Sequence, residues 1–413
     1  MEPQMQPLFP LEGTPTRKRE TTKEAVNPSV LRWARETGGL TLDDAAAALS
    51  IGDAYGQTGA QRLAALERGD DAPSRALLLK MADKYHRNLV VFYLDAPPER
   101  GDRGEDFRLA PGSQPDYDAT LDALIRRIRA SQDQVRSLLE DEEATPVPLV
   151  GSRKLTTPRA EMSQFIIDSI NFQLEEFRKQ RDIDDAFRYL RGCIEAAGVF
   201  VLLAGNLGTY HTDIEPEVFR GFVIADPLAP FIVINDQDSH AAWSFTALHE
   251  LIHVVLGDTG LSGGTVNTAT EEFCSDVASQ VLLPRDDVLR MTYISTLNDG
   301  DALEAVAAVA WEWRLSSSMV VYRLKLADII STYRWNALAG ILRARHAQPK
   351  DNGSTGGRGN YYAWRRHRLG PALLSLVQRS LRAGTITRTK AAYVLGVRPR
   401  FVDRVLTPPP VVG

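Results

Sequence analysis

The run Phe245-Thr246-Ala247-Leu248-His249-Glu250-Leu251-Ile252-His253-Val254-Val255-Leu256 constrains this chain more than any other segment. Its apolar density predicts a buried helix. Residues four apart on a helix share one face, so His249 and His253 present both imidazoles to one point. Two imidazoles and the carboxylate of Glu250 are costly inside an apolar core unless something satisfies them. A metal ion would do so. A catalytic zinc takes three protein ligands and keeps a position open for water, whose acidity it raises toward neutral pH. Glu250, one step round the helix, reaches that water as a general base. The spacing also arises by chance on amphipathic helices, but the buried setting weighs against that reading.

The next helix offers two candidates for the third ligand. Cys274, Val277, Ala278, Val281 and Leu282 define its buried stripe, and Glu271 falls on that stripe. Glu272 aligns with Asp276, Ser279 and Gln280 on the wet side. Metal ligation is therefore expected from His249, His253 and Glu271, with Glu272 as the alternative third ligand. Asp276 stands four residues after Glu272, where it could orient a ligand histidine from behind.

With 413 residues, 44% apolar and 24% charged, the chain has material for two to four globular domains. No run of about 18 apolar residues is present, and the Pro- and charge-rich start has no apolar signal region, so no membrane contact is expected. Cys193 and Cys274 stand far apart in apolar stretches, which fits a reducing cytoplasm rather than a disulfide framework. The pattern divides the chain into a disordered start (1–26), a helical module (27–95), a helical linker region (96–183), a domain with the metal motif (184–348) and a basic helical domain (349–413). In the fourth of these segments the period changes. Val199–Leu203, Phe219–Ile224 and Phe231–Ile234 read as short strands just before the His249 helix. The fold class is α+β, with a small sheet in the central domain and helices on either side of it in sequence.

The metal-motif helix, followed by Glu271-Glu272-Phe273-Cys274-Ser275-Asp276-Val277-Ala278 and Leu282-Leu283-Pro284, resembles the ImmA/IrrE family of metallopeptidases. The resemblance spans about residues 185 to 330, with Gly221-Phe222 and Ile232-Val233-Ile234-Asn235 matching the family's sheet. It implies a zincin-like fold, Zn2+ as cofactor, Glu271 as third ligand, and limited proteolysis of a transcriptional repressor. Ser275 departs from the family, which more often has Asn or Asp there, and whether Ser275 or Asp276 supports a ligand histidine is open. No residue stabilising an oxyanion is evident: His240 and Tyr293 are near in sequence but read as surface or core residues.

Residues 28 to 94 resemble the Xre-like helix-turn-helix fold through Leu31-Arg32-Trp33-Ala34-Arg35, Leu42-Asp43-Asp44-Ala45-Ala46 and Leu66-Glu67-Arg68-Gly69. Such a module contacts DNA through its second motif helix. Here the candidate segment carries only Arg62 as a cation, and the module as a whole is near neutral, so a protein partner is as good a fit. From Arg343 onward, fourteen Lys and Arg stand against two acidic residues. The helix-turn-helix pattern near Ile386–Val402 brings Arg388, Lys390, Arg398 and Arg400 as further DNA-contact candidates. The aromatic and basic cluster Tyr361–Arg368 could stack on bases or dock on the peptidase domain.

The expectation from sequence is a cytoplasmic regulatory zinc endopeptidase cutting a helix-turn-helix repressor. The alternative is a DNA-binding or antitoxin-like regulator with a structural or inactive metal site. Glu250 separates the two, because a structural site has no use for a general base.

Overall fold

The computed structural model describes residues 26–98, 115–208, 210–262, 268–347 and 361–407. The disordered start, the Gly- and Asp-rich stretch after Pro98, the Gly-rich linker at 350–359 and the Pro-rich end, all expected from composition, lie outside the described residues. The chain divides at Pro98 into two compact units. No helix among the described residues is long and apolar enough to cross a membrane.

The first unit is all helical: α1 (Pro28–Glu36), α2 (Leu42–Leu49), α3 (Gly59–Arg68), α4 (Arg75–Lys84) and a 3-10 turn at Leu89–Tyr93. Short polar caps start these helices. Thr41 Oγ1 accepts from Asp44 N, and Thr58 and Gln61 cap α3 reciprocally. Leu31, Ala34, Leu49, Leu63, Leu78, Met81, Tyr85 and Phe92 form the core. Beside it Arg35 pairs in bidentate fashion with the buried Glu67, at 2.7 and 2.9 Å.

The second unit begins with α5 (Pro115–Asp141), α6 (Arg159–Ser169), α7 (Leu174–Arg178) and α8 (Ile183–Ala196). Sequence periodicity predicts one helix over Met162–Gln180. The chain instead breaks at Asn171, which adopts a left-handed φ of 49° and lets Phe172 turn into the core. Four strands follow with one helix among them: β1 (Phe200–Leu203), β2 (Gly221–Ile224), β3 (Phe231–Ile234), α9 (His240–Leu256) and β4 (Gly260–Ser262). They form one sheet of order β1-β3-β2-β4, with β1 parallel to β3 and the other pairings antiparallel. The sheet and its helices bear out the α+β class.

The rest is helical: α10 (Thr268–Leu282), α11 (Arg285–Leu289), α12 (Asp299–Glu312), α13 (Ser317–Leu326), α14 (Thr332–Ala347), α15 (Tyr361–Leu369), α16 (Pro371–Ala383), α17 (Arg388–Leu395) and α18 (Val402–Leu406). The segments read from sequence as linker region, peptidase domain and C-terminal domain all contribute their described helices to this unit.

Strands β1, β2 and β3 are buried along their whole length, which explains their unbroken apolar runs. On the inner face Val201, Leu203, Val223, Ile232 and Ile234 join the core of α8, α9 and α10. On the outer face Phe200, Leu202, Phe222, Ile224, Phe231 and Val233 pack with Leu121, Leu124 and Ile125 of α5, Leu373 and Leu376 of α16, and Val394 and Leu395 of α17. Three buried side chains tie the C-terminal helices to the sheet. Arg191 donates to His367 O at 2.6 Å and to Val201 O, Glu195 accepts from Ala372 N at 2.9 Å, and Arg368 donates to Leu203 O at 3.1 Å.

Candidate metal centre

Helix α9 carries two of the candidate ligands and α10, packed against it, carries the third. His249 and His253 are buried on the face of α9 that meets α10, and Glu271 stands half-buried in the first turn of α10. Their donor atoms all lie within 4.8 Å of one another. His249 Nε2 is 3.2 Å from His253 Nε2 and 3.2 Å from Glu271 Oε2, and His253 Nε2 is 3.3 Å from Glu271 Oε1.

These edges fit a metal. Zinc bonds of about 2.0–2.1 Å in tetrahedral geometry separate neighbouring ligand atoms by about 3.3 Å. The donor set, two imidazoles and one carboxylate, is also that of catalytic zinc sites. Charge points the same way. Burial works against an ionised Glu271, but hydrogen bonds with His249 and His253 override it and hold the carboxyl down at about 2. Burial likewise opposes protonation of the imidazoles and prevails at His249, which is lowered. At His253, contacts with Cys274 and Glu271 outweigh burial and raise it to about 11. The cluster thus stabilises a positive charge among its three members, which a divalent cation would supply with both imidazoles neutral.

Glu250 is fully buried on the adjoining face of α9. A Cβ on Gly221, the first residue of β2, would stand 2.5 Å from Glu250 Oε1, so that carboxylate occupies space that only glycine leaves open. Asn235 fixes the neighbouring strand end. Its Nδ2 donates to Ile214 O at 2.9 Å and to Phe219 O at 3.0 Å, and its backbone N–H donates to Arg220 O.

The surroundings separate the side chains that the sequence left as alternatives. Ser275 Oγ lies 3.3 Å from His249 Nδ1, behind the ring. Asp276 turns away, accepting from Tyr322 Oη at 2.6 Å and pairing with Arg159 at 2.8 Å. Glu272 is exposed. His240 pairs with Asp184 at 2.6 Å and stacks on Trp243, and Tyr293 is exposed. Spacing alone gave no signal for Gly221, nor for the contact of Cys274 with His253.

Residues 206–325 match the family model of the IrrE N-terminal-like domain. The matched segment holds β2, β3, α9 and α10, hence every member of the cluster. Both covers of the outer face, α5 and α15–α18, fall outside it. No curated protein and no solved structure gives a match.

The five DNA-contact candidates divide between the two units, Arg62 in the first and the other four in the second. Arg62, in the first unit, donates to Gly52 O at 2.6 Å. In the second unit Arg388 pairs with Asp403 at 2.7 Å, and Lys390 is half-buried on α17. Arg398 and Arg400 are exposed in the turn that follows.

Proposed function

We propose that this protein is a zinc-dependent endopeptidase, with His249, His253 and Glu271 as ligands and Glu250 as the general base. The observation that carries the reading is the triangle of donor atoms with edges of 3.2 to 3.3 Å, inside a segment matched to a peptidase family. Zinc bound there would supply Lewis acidity to a peptide carbonyl and to water. Glu250, buried against Gly221, accepts the water proton and returns it to the leaving amine. Ser275 holds the His249 ring from behind. As one of the two edge strands of the sheet, β4 offers backbone partners to an extended substrate.

For the substrate, the ImmA/IrrE resemblance favours a helix-turn-helix repressor cut at a limited number of bonds. The first unit fits recruitment of a protein partner. Its residues 26–98 carry eight Lys and Arg against nine Asp and Glu, a poor balance for gripping phosphates. The test pairs metal analysis with proteolysis of a repressor encoded beside this gene. The expected result is about one zinc per chain in both the wild type and Glu250→Gln, with cleavage lost in the variant. A wild type that binds no zinc would end the metal reading, and equal cutting by both proteins would remove Glu250 as the base.

A further inference from the structure

Far along the chain from the metal centre, two arginines stand together without an acid between them. Arg127 comes from α5 and Arg365 from α15, and both reach the turn after α17. A Cβ on Gly396 would stand 2.1 Å from Arg365 Nη2 and 2.8 Å from Arg127 Nη2, so the two guanidiniums crowd one point. Gly396, with φ of 61°, closes α17 there. Arg365 donates from Nε and Nη2 to Leu395 O, at 3.0 and 2.8 Å, and Arg127 donates from Nη1 to Leu207 O at 3.0 Å. A helix C-terminus accounts for one cation beside it, but not for two.

Neighbouring buried arginines are treated differently. Arg191 has Glu195 at 3.1 Å and Arg368 has Asp236 at 2.6 Å. Among the described residues, neither Arg127 nor Arg365 has a carboxylate within ion-pair distance. Burial first, and then the charge of Arg127, push Arg365 down to about 9, far below the usual range. Like charges held this close are stabilised by an anion between them, and paired guanidiniums match the oxygens of a phosphate. The surface nearby extends the fit: Tyr361 and Trp364 on α15 are 50% and 39% exposed, and Arg398 and Arg400 follow Gly396 in the same turn.

We propose that Arg127 and Arg365 form a phosphate-binding site, filled by the backbone of a nucleic-acid strand or by free phosphate. The proposal is independent of the peptidase reading.

The test uses the full chain with Arg127→Gln, because Arg127, unlike Arg365, caps no helix. At constant ionic strength, exchanging chloride for inorganic phosphate should raise the thermal midpoint of the wild type by about 2–4 °C if the site fills. The variant should not respond. In a second arm, anisotropy of a labelled random-sequence single-stranded oligonucleotide should show binding that Arg127→Gln weakens about tenfold, with a salt slope smaller by about one. Arg382→Gln removes an exposed charge elsewhere on the C-terminal helices and should change that binding less. Response in both arms assigns the site to a strand; response to inorganic phosphate alone assigns it to free phosphate. The proposal is overturned if the wild type responds in neither arm, or if folded Arg127→Gln responds like the wild type.

Discussion

The two faces of the sheet are covered in different ways. The inner face meets α8, α9 and α10 and bears the cluster of His249, His253 and Glu271, all of it from the segment matched to the IrrE-like domain. The outer face is closed by α5 from before that segment and by α15–α18 from after it. The candidate site is thus encoded locally, while the cover of the opposite face is supplied by residues distant in sequence. Ser131 Oγ of α5, for example, donates to Val394 O of α17. The segment matched to the IrrE-like domain, cut out at its boundaries, would leave the apolar outer faces of β2 and β3 bare.

The largest expected effect follows from that. A chain ending at Ala347 loses Leu369, Leu373, Leu376, Val377, Val394 and Leu395 from the outer core. Each buried aliphatic side chain contributes about 1.5–3 kcal/mol, against a total stability of about 5–15 kcal/mol. The truncated protein should lose its near-UV circular dichroism and its cooperative thermal transition. Removal of residues 1–98, a separate compact unit, should leave both in place. If the shorter C-terminal truncation melts like the full chain, the outer cover is an ornament rather than part of the cooperative core.

The second test cuts a link between the faces. Arg368 comes from the outer cover and pairs with Asp236 at 2.6 Å, just beyond β3, while also donating to Asn206 Oδ1 at 2.9 Å. Arg368→Ala strands the carboxylate of Asp236 at a largely buried site, which costs about 3–5 kcal/mol. Denaturant titration should show a lower midpoint with an unchanged slope. An unchanged midpoint would mean that the two faces are held together by apolar packing alone.

How much was legible in the sequence follows the same division. On the inner face, helical spacing put His249 and His253 together, and the apolar stripe of α10 chose Glu271 over Glu272, because both signals act within one or two helices. On the outer face, Leu121, Leu124 and Ile125 recur at helical spacing, which marks a buried stripe, but a stripe does not name its partner. Strand β4 went unread: three residues long, it is defined by its pairing with β2 rather than by any pattern of its own. The break at Asn171 was invisible because a single left-handed residue leaves the apolar period on either side intact.

Gly221 sharpens the inner face. Adding a methyl there puts a carbon 2.5 Å from Glu250 Oε1, and one of the two must move. A displacement of about 1 Å at a reacting group costs on the order of a hundredfold in rate. Gly221→Ala should therefore lower kcat/KM by about that factor while zinc content stays at the wild-type level. Loss of zinc together with activity would show that the methyl disturbs α9 as a whole and not the carboxylate alone.

The smallest effect belongs to Ser275. Its hydroxyl lies 3.3 Å from His249 Nδ1, a long contact from a side chain that can rotate away, and Asp276, the rival for this role, is committed to Tyr322 and Arg159. One such hydrogen bond contributes about 1 kcal/mol. Ser275→Ala should thus weaken zinc binding by up to about tenfold in competition with a chelating indicator. Ser275→Asn, which restores a polar group at this position, should recover most of that affinity. If Ser275→Ala binds zinc as tightly as the wild type, the His249 ring is oriented by the packing of α9 on α10 alone. The inner face would then hold its His249–His253–Glu271 cluster by the same means as the outer face holds its cover.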